Sequence, residues 1–326
     1  MKPENQIRAL LGVAAGVAVA GSVPAPAAPA YFADDARPVM LMQDPNESIY
    51  QPPGPPRLEE GVNAGGVNFE LEVSYLTDYV YRGVDQSERL SSLTEDGAFD
   101  PDADVGAEDA PNLQFNGSIK LNLNRLPHPV AGVFVNVYND DPISRFQEIR
   151  PYFGFDWDLR PLRVQGGQIS YIFPEREDLN TQEVWLSVTF DDSRLWRTER
   201  PILAPYGYVA YDYDLYDGLY FEMGVRHEMV FEDTGMTLAV VADIAYVLNN
   251  EQFGPTDPLA EEREDTGFHH YDVGLIGTYS LNRALGIPQR YGNWALVGYL
   301  YYTDALNEGL NADTQMWGGA AIRFRY

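Results

Sequence analysis

The chain has 326 residues, a net charge of −27, 45% apolar and 22% charged residues, and no cysteine. These proportions exclude wholesale disorder, a disulfide scaffold, thiolate metal sites and a cysteine nucleophile. The mean hydropathy of −0.30 excludes a bundle of transmembrane helices, and the acidity leaves no basic face for phosphates, so no nucleic-acid partner is expected.

The N-terminus reads as an address. Lys2 and Arg8 precede the apolar stretch Ala9 to Val23, and Pro24-Ala25-Pro26-Ala27-Ala28-Pro29-Ala30 follows. A basic start, a short apolar core and an Ala-x-Ala box make residues 1–30 a secretory signal, cleaved after Ala27 or Ala30. A membrane anchor is the weaker reading, because the apolar stretch Ala9 to Val23 falls short of the about 20 residues that span a bilayer. Residues 31–66 are acidic and proline-rich, centred on Pro52-Pro53-Gly54-Pro55-Pro56, and read as a flexible lead-in. No later apolar run is long enough to cross as a helix, so an exported membrane form must cross with strands.

From Val67 onward the period is two. Val67, Phe69, Leu71, Val73 and Tyr75 share one face, while Asn68, Glu70, Glu72 and Ser74 share the other. Leu113, Phe115, Ile119, Leu121 and Leu123 alternate with Asn112, Gln114, Asn116, Ser118, Lys120 and Asn122 in the same way. A strand with one apolar and one polar face separates two solvents. The pattern predicts twelve strands, near 67–83, 112–126, 130–140, 147–159, 162–173, 182–191, 203–213, 219–231, 236–248, 269–282, 292–303 and 314–326. Their lengths suit a tilted strand crossing a bilayer, for which about 9–11 residues suffice. The 22 tyrosines and 29 glycines suit the same architecture.

A soluble sandwich would alternate too. Three features favour a single transmembrane antiparallel β-barrel over residues 67–326. The last strand ends on the last residue, with Met316, Gly318, Ala320, Ile322, Phe324 and Tyr326 on one face; such an ending resembles the signal read by the barrel-assembly machinery of the outer membrane. An even strand number puts both ends of the barrel on one side. The connections also sort by charge: those at the outer end (84–111, 141–147, 174–181, 214–218, 249–268 and 304–313) hold 24 acids and 4 arginines, and those at the inner end hold 4 acids and 6 arginines. The expected location is the outer membrane, among lipid and lipopolysaccharide.

The segment Tyr75-Leu76-Thr77-Asp78-Tyr79-Val80-Tyr81-Arg82-Gly83-Val84-Asp85-Gln86-Ser87 resembles the opening motif of the TorF-type porin family, with looser similarity at Tyr171-Ile172-Phe173-Pro174 and Thr181-Gln182-Glu183-Val184. The acidic insertion after Ser87 departs from that pattern. The resemblance implies an outer-membrane channel for small solutes and brings no catalytic residues and no cofactor.

Several residues bear on function. Strand parity places Arg82, Lys120, Glu148, Arg150, Asp156, Glu183, Glu222, Arg226 and Arg323 on the lumen face as candidate pore-lining groups. Inside a narrow barrel they must pair or stay hydrated. Over all strands, twelve lumen acids face seven bases, a surplus of five negative charges that predicts a weak preference for cations. Asp100, Asp102 and Asp104 have the i, i+2, i+4 spacing of a calcium loop, but the glycine stands one place late and the distal glutamate is missing, so a solvated acidic loop is the plainer reading. His227 falls on the apolar face, and Met229, not serine, lies two residues on; His128 and the pair His269-His270 also lack a serine at that spacing. A Ser–His hydrolase therefore has little local support. His269-His270, beside Glu264 and Asp265, suggests either a hydrated pair or a metal site. The favoured function is passive passage of small hydrophilic solutes or ions. An outer-membrane hydrolase or lipid-modifying enzyme and a closed adhesive or structural barrel are the alternatives.

Overall fold

A computed structural model describes residues 66–86, 111–123, 126–138, 147–174, 177–250, 252, 264–307, 309–310 and 314–326. The expected signal at 1–30, nearly all of the lead-in, and Asp100, Asp102 and Asp104 lie outside the described residues.

Twelve long antiparallel strands close into a barrel. They are β1 (Val67–Leu76), β4 (Asn112–Leu121), β5 (His128–Tyr138), β6 (Glu148–Leu159), β7 (Leu162–Tyr171), β8 (Thr181–Phe190), β9 (Tyr206–Asp212), β10 (Leu219–Phe231), β11 (Met236–Leu248), β12 (Gly267–Ser280), β13 (Asn293–Ala305) and β14 (Gln315–Arg325). Two short strands, β2 (Val80–Tyr81) and β3 (Val84–Asp85), form a separate hairpin. Each long strand pairs with its sequence neighbours, and β1 pairs with both β4 and β14. Closure leaves no open sheet edge, so the ladder N–H and C=O groups of neighbouring strands pair with one another instead of with water. The seam is completed by two backbone bonds of 2.8 Å between Phe69 and Tyr326, one in each direction.

The barrel is inside-out relative to a soluble protein. On β1 the exposed residues are Phe69, Leu71 and Tyr75, while Asn68, Glu70, Glu72 and Ser74 are buried inside. On β4, Leu113, Phe115, Ile119 and Leu121 face out, and Asn112, Gln114, Asn116, Ser118 and Lys120 face in. Apolar side chains gain nothing by facing water, so this surface faces lipid. Aromatic side chains ring both rims. Tyr75, Tyr213, Phe268 and Tyr302 stand near the end with the longer loops, and Tyr279, Tyr291, Trp294 and Tyr326 stand near the other. Amphipathic rings of this kind settle at headgroup level.

The strand expectations hold with one instructive correction. The first strand leaves the wall at Leu76 instead of running to about 83. Thr77 marks the exit: its N–H donates to the Gly318 carbonyl at 2.8 Å, and its hydroxyl accepts from the Gly318 N–H at 3.1 Å. The next residues turn inward. Val80 pairs with Asp85 and Tyr81 with Val84, leaving Arg82 and Gly83 as a two-residue turn with φ of 53° and 76°. Positive φ at both central residues matches the twist of a tight hairpin. Gly83 adopts it freely, whereas Arg82 takes it at a cost of roughly 1–2 kcal/mol. The Gln86 N–H donates to the Tyr79 carbonyl at 2.9 Å and closes the loop.

Candidate functional site

The segment Thr77–Gln86 lies inside the barrel, toward the end with the longer loops, and its side chains reach most of the wall. The Tyr79 hydroxyl donates to Glu148 on β6 at 3.0 Å, and its ring packs on Phe134 and Tyr138 of β5. The Tyr81 hydroxyl meets that of Tyr171 on β7 at 2.6 Å. Arg82 donates two 2.7 Å bonds to the Glu183 carboxylate on β8 and one of 2.9 Å to the Tyr208 hydroxyl on β9. Its guanidinium also stands 4.4 Å from the Tyr220 ring centre on β10 and 5.0 Å from that of Tyr81. Gly83 abuts the His270 ring on β12, so closely that a side chain at this position would overlap it. On the opposite flank, Val80 shares an apolar cluster with Val241 on β11, Ile276 on β12, Tyr301 on β13 and Trp317 on β14. These ten residues, called the plug below, thus bridge the lumen from β5 round to β14.

A second arginine supports the plug from the wall. Arg150 on β6 is 1% exposed. It pairs with Glu148 through Nε and Nη2, and Nη2 also donates to the Tyr79 hydroxyl. Its guanidinium stands 4.1 Å from the Tyr81 ring centre and 4.8 Å from that of Tyr171. Desolvated cations on ring faces gain about 2 kcal/mol each, so tyrosine-rich walls suit buried arginines. The plug and its seat are therefore one network of two arginines, two glutamates and seven aromatic rings.

Nearer the other end the lumen holds further ion pairs, set up by strand register. Glu70 lies opposite Arg325 and Glu72 opposite Arg323 across β1 and β14. Arg325 donates to Glu70 at 3.0 and 3.1 Å; Arg323 pairs with Glu72, and its Nη2 donates to the Tyr299 hydroxyl at 3.0 Å. Lys120 and Arg163 share Asp156 at 2.9 and 2.8 Å. Arg226 pairs with Glu228 at 2.7 Å. Glu222 accepts hydrogen bonds of 2.7 Å from the hydroxyls of both Tyr206 and Tyr220. Eight of the nine candidate residues thus sit on the wall and point inward, whereas Arg82, expected on the first strand, stands in the turn of the plug and reaches outward to Glu183. Arg82, Glu148, Arg150 and Glu183 gather at the plug; Lys120, Asp156, Arg226, Arg323 and Glu222 lie on the wall.

The histidines sort differently from the sequence expectation. The His227 Nδ1 lies 2.7 Å from the Ile202 carbonyl, and the His128 Nδ1 accepts from the Leu123 N–H at 2.9 Å. Glu264 accepts a bond from Asn307, and Asp265 one from Thr266. The pair His269-His270 is buried, with Asp272 beside it; His270 Nε2 lies 3.5 Å from an Asp272 oxygen. Strand alternation should send consecutive residues to opposite faces. Here the register of β12 against β11 shifts between Ile244 and Tyr246, a β-bulge that places both histidines opposite Ala245.

No protein-family model matches the chain, and no curated protein matches it. Among solved structures it is similar to a NanC porin at 8% identity and a TM-score of 0.40, covering 79% of this chain and 98% of that one. It is similar also to a FadL homologue of Pseudomonas aeruginosa at 9% identity and a TM-score of 0.36, covering 80% and 89%. A third is OmpT, an outer membrane protein of Vibrio cholerae, at 9% identity and a TM-score of 0.30, covering 80% and 96%. At such identities and scores nothing about activity follows from these likenesses.

Proposed function

We propose that the chain is an outer-membrane channel of the porin type for small hydrophilic solutes or ions, closed in this conformation by the plug Thr77–Gln86. The observation that carries this reading is the combination of a lipid-facing exterior with a lumen lined by paired charges and hydroxyls. A purely structural barrel gains no stability from such a lining, because apolar packing of equal volume is as good or better. The likeness of the plug segment to the TorF-type opening motif supports the same reading. Arg82, Glu148, Arg150 and Glu183 would line the constriction, and the remaining candidates the path beyond it. Lipid, lipopolysaccharide and the barrel-assembly machinery are the partners this reading implies.

Conductance in planar bilayers tests it. Rare or small openings are expected of the unaltered protein, and larger, sustained ones after deletion of Tyr79–Asp85. The dense tyrosine packing at the plug favours a second reading, a permanently closed barrel with a structural or adhesive role. Silence from both proteins would select it.

A further inference from the structure

Among the described residues, Asp243 on β11 and His270 and Asp272 on β12 present ligand atoms within 4.8 Å of one another. We propose that these three residues bind one divalent transition-metal ion inside the barrel. The placement is built by the sheet. Asp243 and Asp272 are direct cross-strand partners, so their side chains leave the same face side by side. His270 stands two residues before Asp272 and joins that face through strand alternation. The bulge opposite Ala245 then turns His269 inward as well, directly behind His270. Bulges recur where a strand must re-aim a side chain next to a site.

The hydrogen bonding of His270 points to a ligand. The ring is 0% exposed, and among the described residues neither its Nε2 nor Asp272 Oδ1 has a hydrogen-bond partner. Its Nδ1 lies 2.7 Å from the Nδ1 of His269, so one of these two nitrogens must donate to the other. When neutral His270 donates, its Nε2 turns a bare lone pair toward two carboxylates, an arrangement that a cation between them relieves. When His269 donates, the His270 Nε2–H faces Asp272 across 3.5 Å, too far for a good hydrogen bond. The first arrangement is how metal-binding histidines are normally held, with the second ring nitrogen donating to a fixed acceptor.

Neutral imidazole with two carboxylates suits Zn²⁺, Mn²⁺ or Co²⁺ better than Ca²⁺, which prefers an all-oxygen shell. Ligand atoms at about 2.0–2.1 Å from a tetrahedral Zn²⁺ stand about 3.4 Å from each other, close to the 3.5 Å between His270 Nε2 and Asp272 Oδ2. Three protein donors leave room for water. The ion would also fix the ring on which the plug rests, since Gly83 abuts one side of His270 and Tyr220 stacks on it with centroids 6.3 Å apart. The proposal does not depend on the barrel being a channel.

The test is metal content and affinity of the full-length barrel in detergent, titrated with Zn²⁺ against a chelating dye. Millimolar Mg²⁺ should be present to occupy the many exposed carboxylates. One tightly held Zn²⁺ per chain is expected, weakened at least 100-fold in His270→Gln and in Asp272→Asn, and about 10–100-fold in His269→Gln through the lost support of the ring. Equal binding by wild type and both ligand variants, or none by wild type, would overturn the proposal. Should the variants fail to fold, X-ray absorption of the Zn²⁺-loaded wild type decides. An imidazole nitrogen in the inner shell supports the site, and an oxygen-only shell contradicts it.

Discussion

Arg82→Ala is the perturbation with the largest calculable effect on the plug. The substitution removes the bidentate pair with Glu183, whose two bonds are both 2.7 Å, the 2.9 Å bond to Tyr208, and ring-face contacts with Tyr81, Tyr208 and Tyr220. It leaves the Glu183 carboxylate, 3% exposed, with long contacts of 3.4 and 3.3 Å from the Tyr171 and Tyr208 hydroxyls. Removing one member of a buried ion pair costs about 3–5 kcal/mol, chiefly because the other charge stays desolvated. Alanine at a positive φ recovers none of the backbone strain. A loss of 3 kcal/mol shifts the ratio of seated to unseated plug by roughly 100-fold, and 5 kcal/mol by more than 1,000-fold. Undocking also relieves the stranded carboxylate by hydrating it, so the plug should leave while the wall persists. Recordings in planar bilayers of heat-modifiable, correctly folded protein read this directly: the variant should show at least about 100-fold greater open probability than wild type. Arg82→Ala combined with Glu183→Leu, which removes both charges, should recover much of the closure. A folded Arg82→Ala barrel with unchanged conductance would mean that Arg82 does not hold the segment in the lumen.

Three further outcomes are expected. The Asp192 carboxylate sits in the turn after β8; burial pushes it up, but hydrogen bonds from the Leu203, Ile202 and Ala204 N–H groups and the Trp196 indole outweigh that and hold it below the usual carboxylate range. A lowered folded value means that its contribution to the turn is complete above about pH 3.9 and is lost as pH falls through the folded value. The acid-induced change in Trp196 fluorescence, taken as the difference from Trp196→Phe, should therefore lie below that pH and be absent in Asp192→Asn. Deleting Tyr326 removes both 2.8 Å bonds to Phe69 at the seam, so it should reduce outer-membrane recovery and leave protein in the periplasm; normal recovery would count against that role. For an unplugged variant, reversal potentials across a KCl gradient should show a weak cation preference that grows at low salt, because strand parity assigns twelve acids and seven bases to the lumen and screening weakens as salt falls; anion preference would contradict it.

Much of the barrel was legible because a lipid exterior and a polar lumen impose a period of two on every strand. The two faces of β1 and β4, and the near-coincidence of all twelve strands with their expected positions, follow from that constraint. The plug was not legible for the same reason. Tyr79 and Tyr81 continue the alternation of β1, so the sequence reads as one longer strand. The available cue was Arg82-Gly83, flanked by the strand formers Val80, Tyr81 and Val84, but a primed turn usually announces itself with Asn or Asp before the glycine. The charged lumen residues were legible by parity, whereas their partners were not: Arg82 finds Glu183 across 101 positions, and Arg325 finds Glu70 across 255. Parity misled at His269-His270, where one shifted register turns two neighbours to the same side. Asp243 enters that cluster only through its pairing with Asp272.

Residues 77–86 occupy the lumen, with the turn seated on His270. The chain lacks cysteine, so a designed pair reports on that seat without background. A Cβ at Gly83 would lie 2.9 Å from the His270 Cβ, and a disulfide needs about 3.5–4.5 Å, within reach of a small adjustment. Gly83→Cys combined with His270→Cys should therefore cross-link in high yield on mild oxidation, and the oxidised barrel should stay closed in bilayers while reduction restores openings. Failure of the folded double variant to cross-link, or openings that persist undiminished in the oxidised form, would contradict a plug seated inside the barrel.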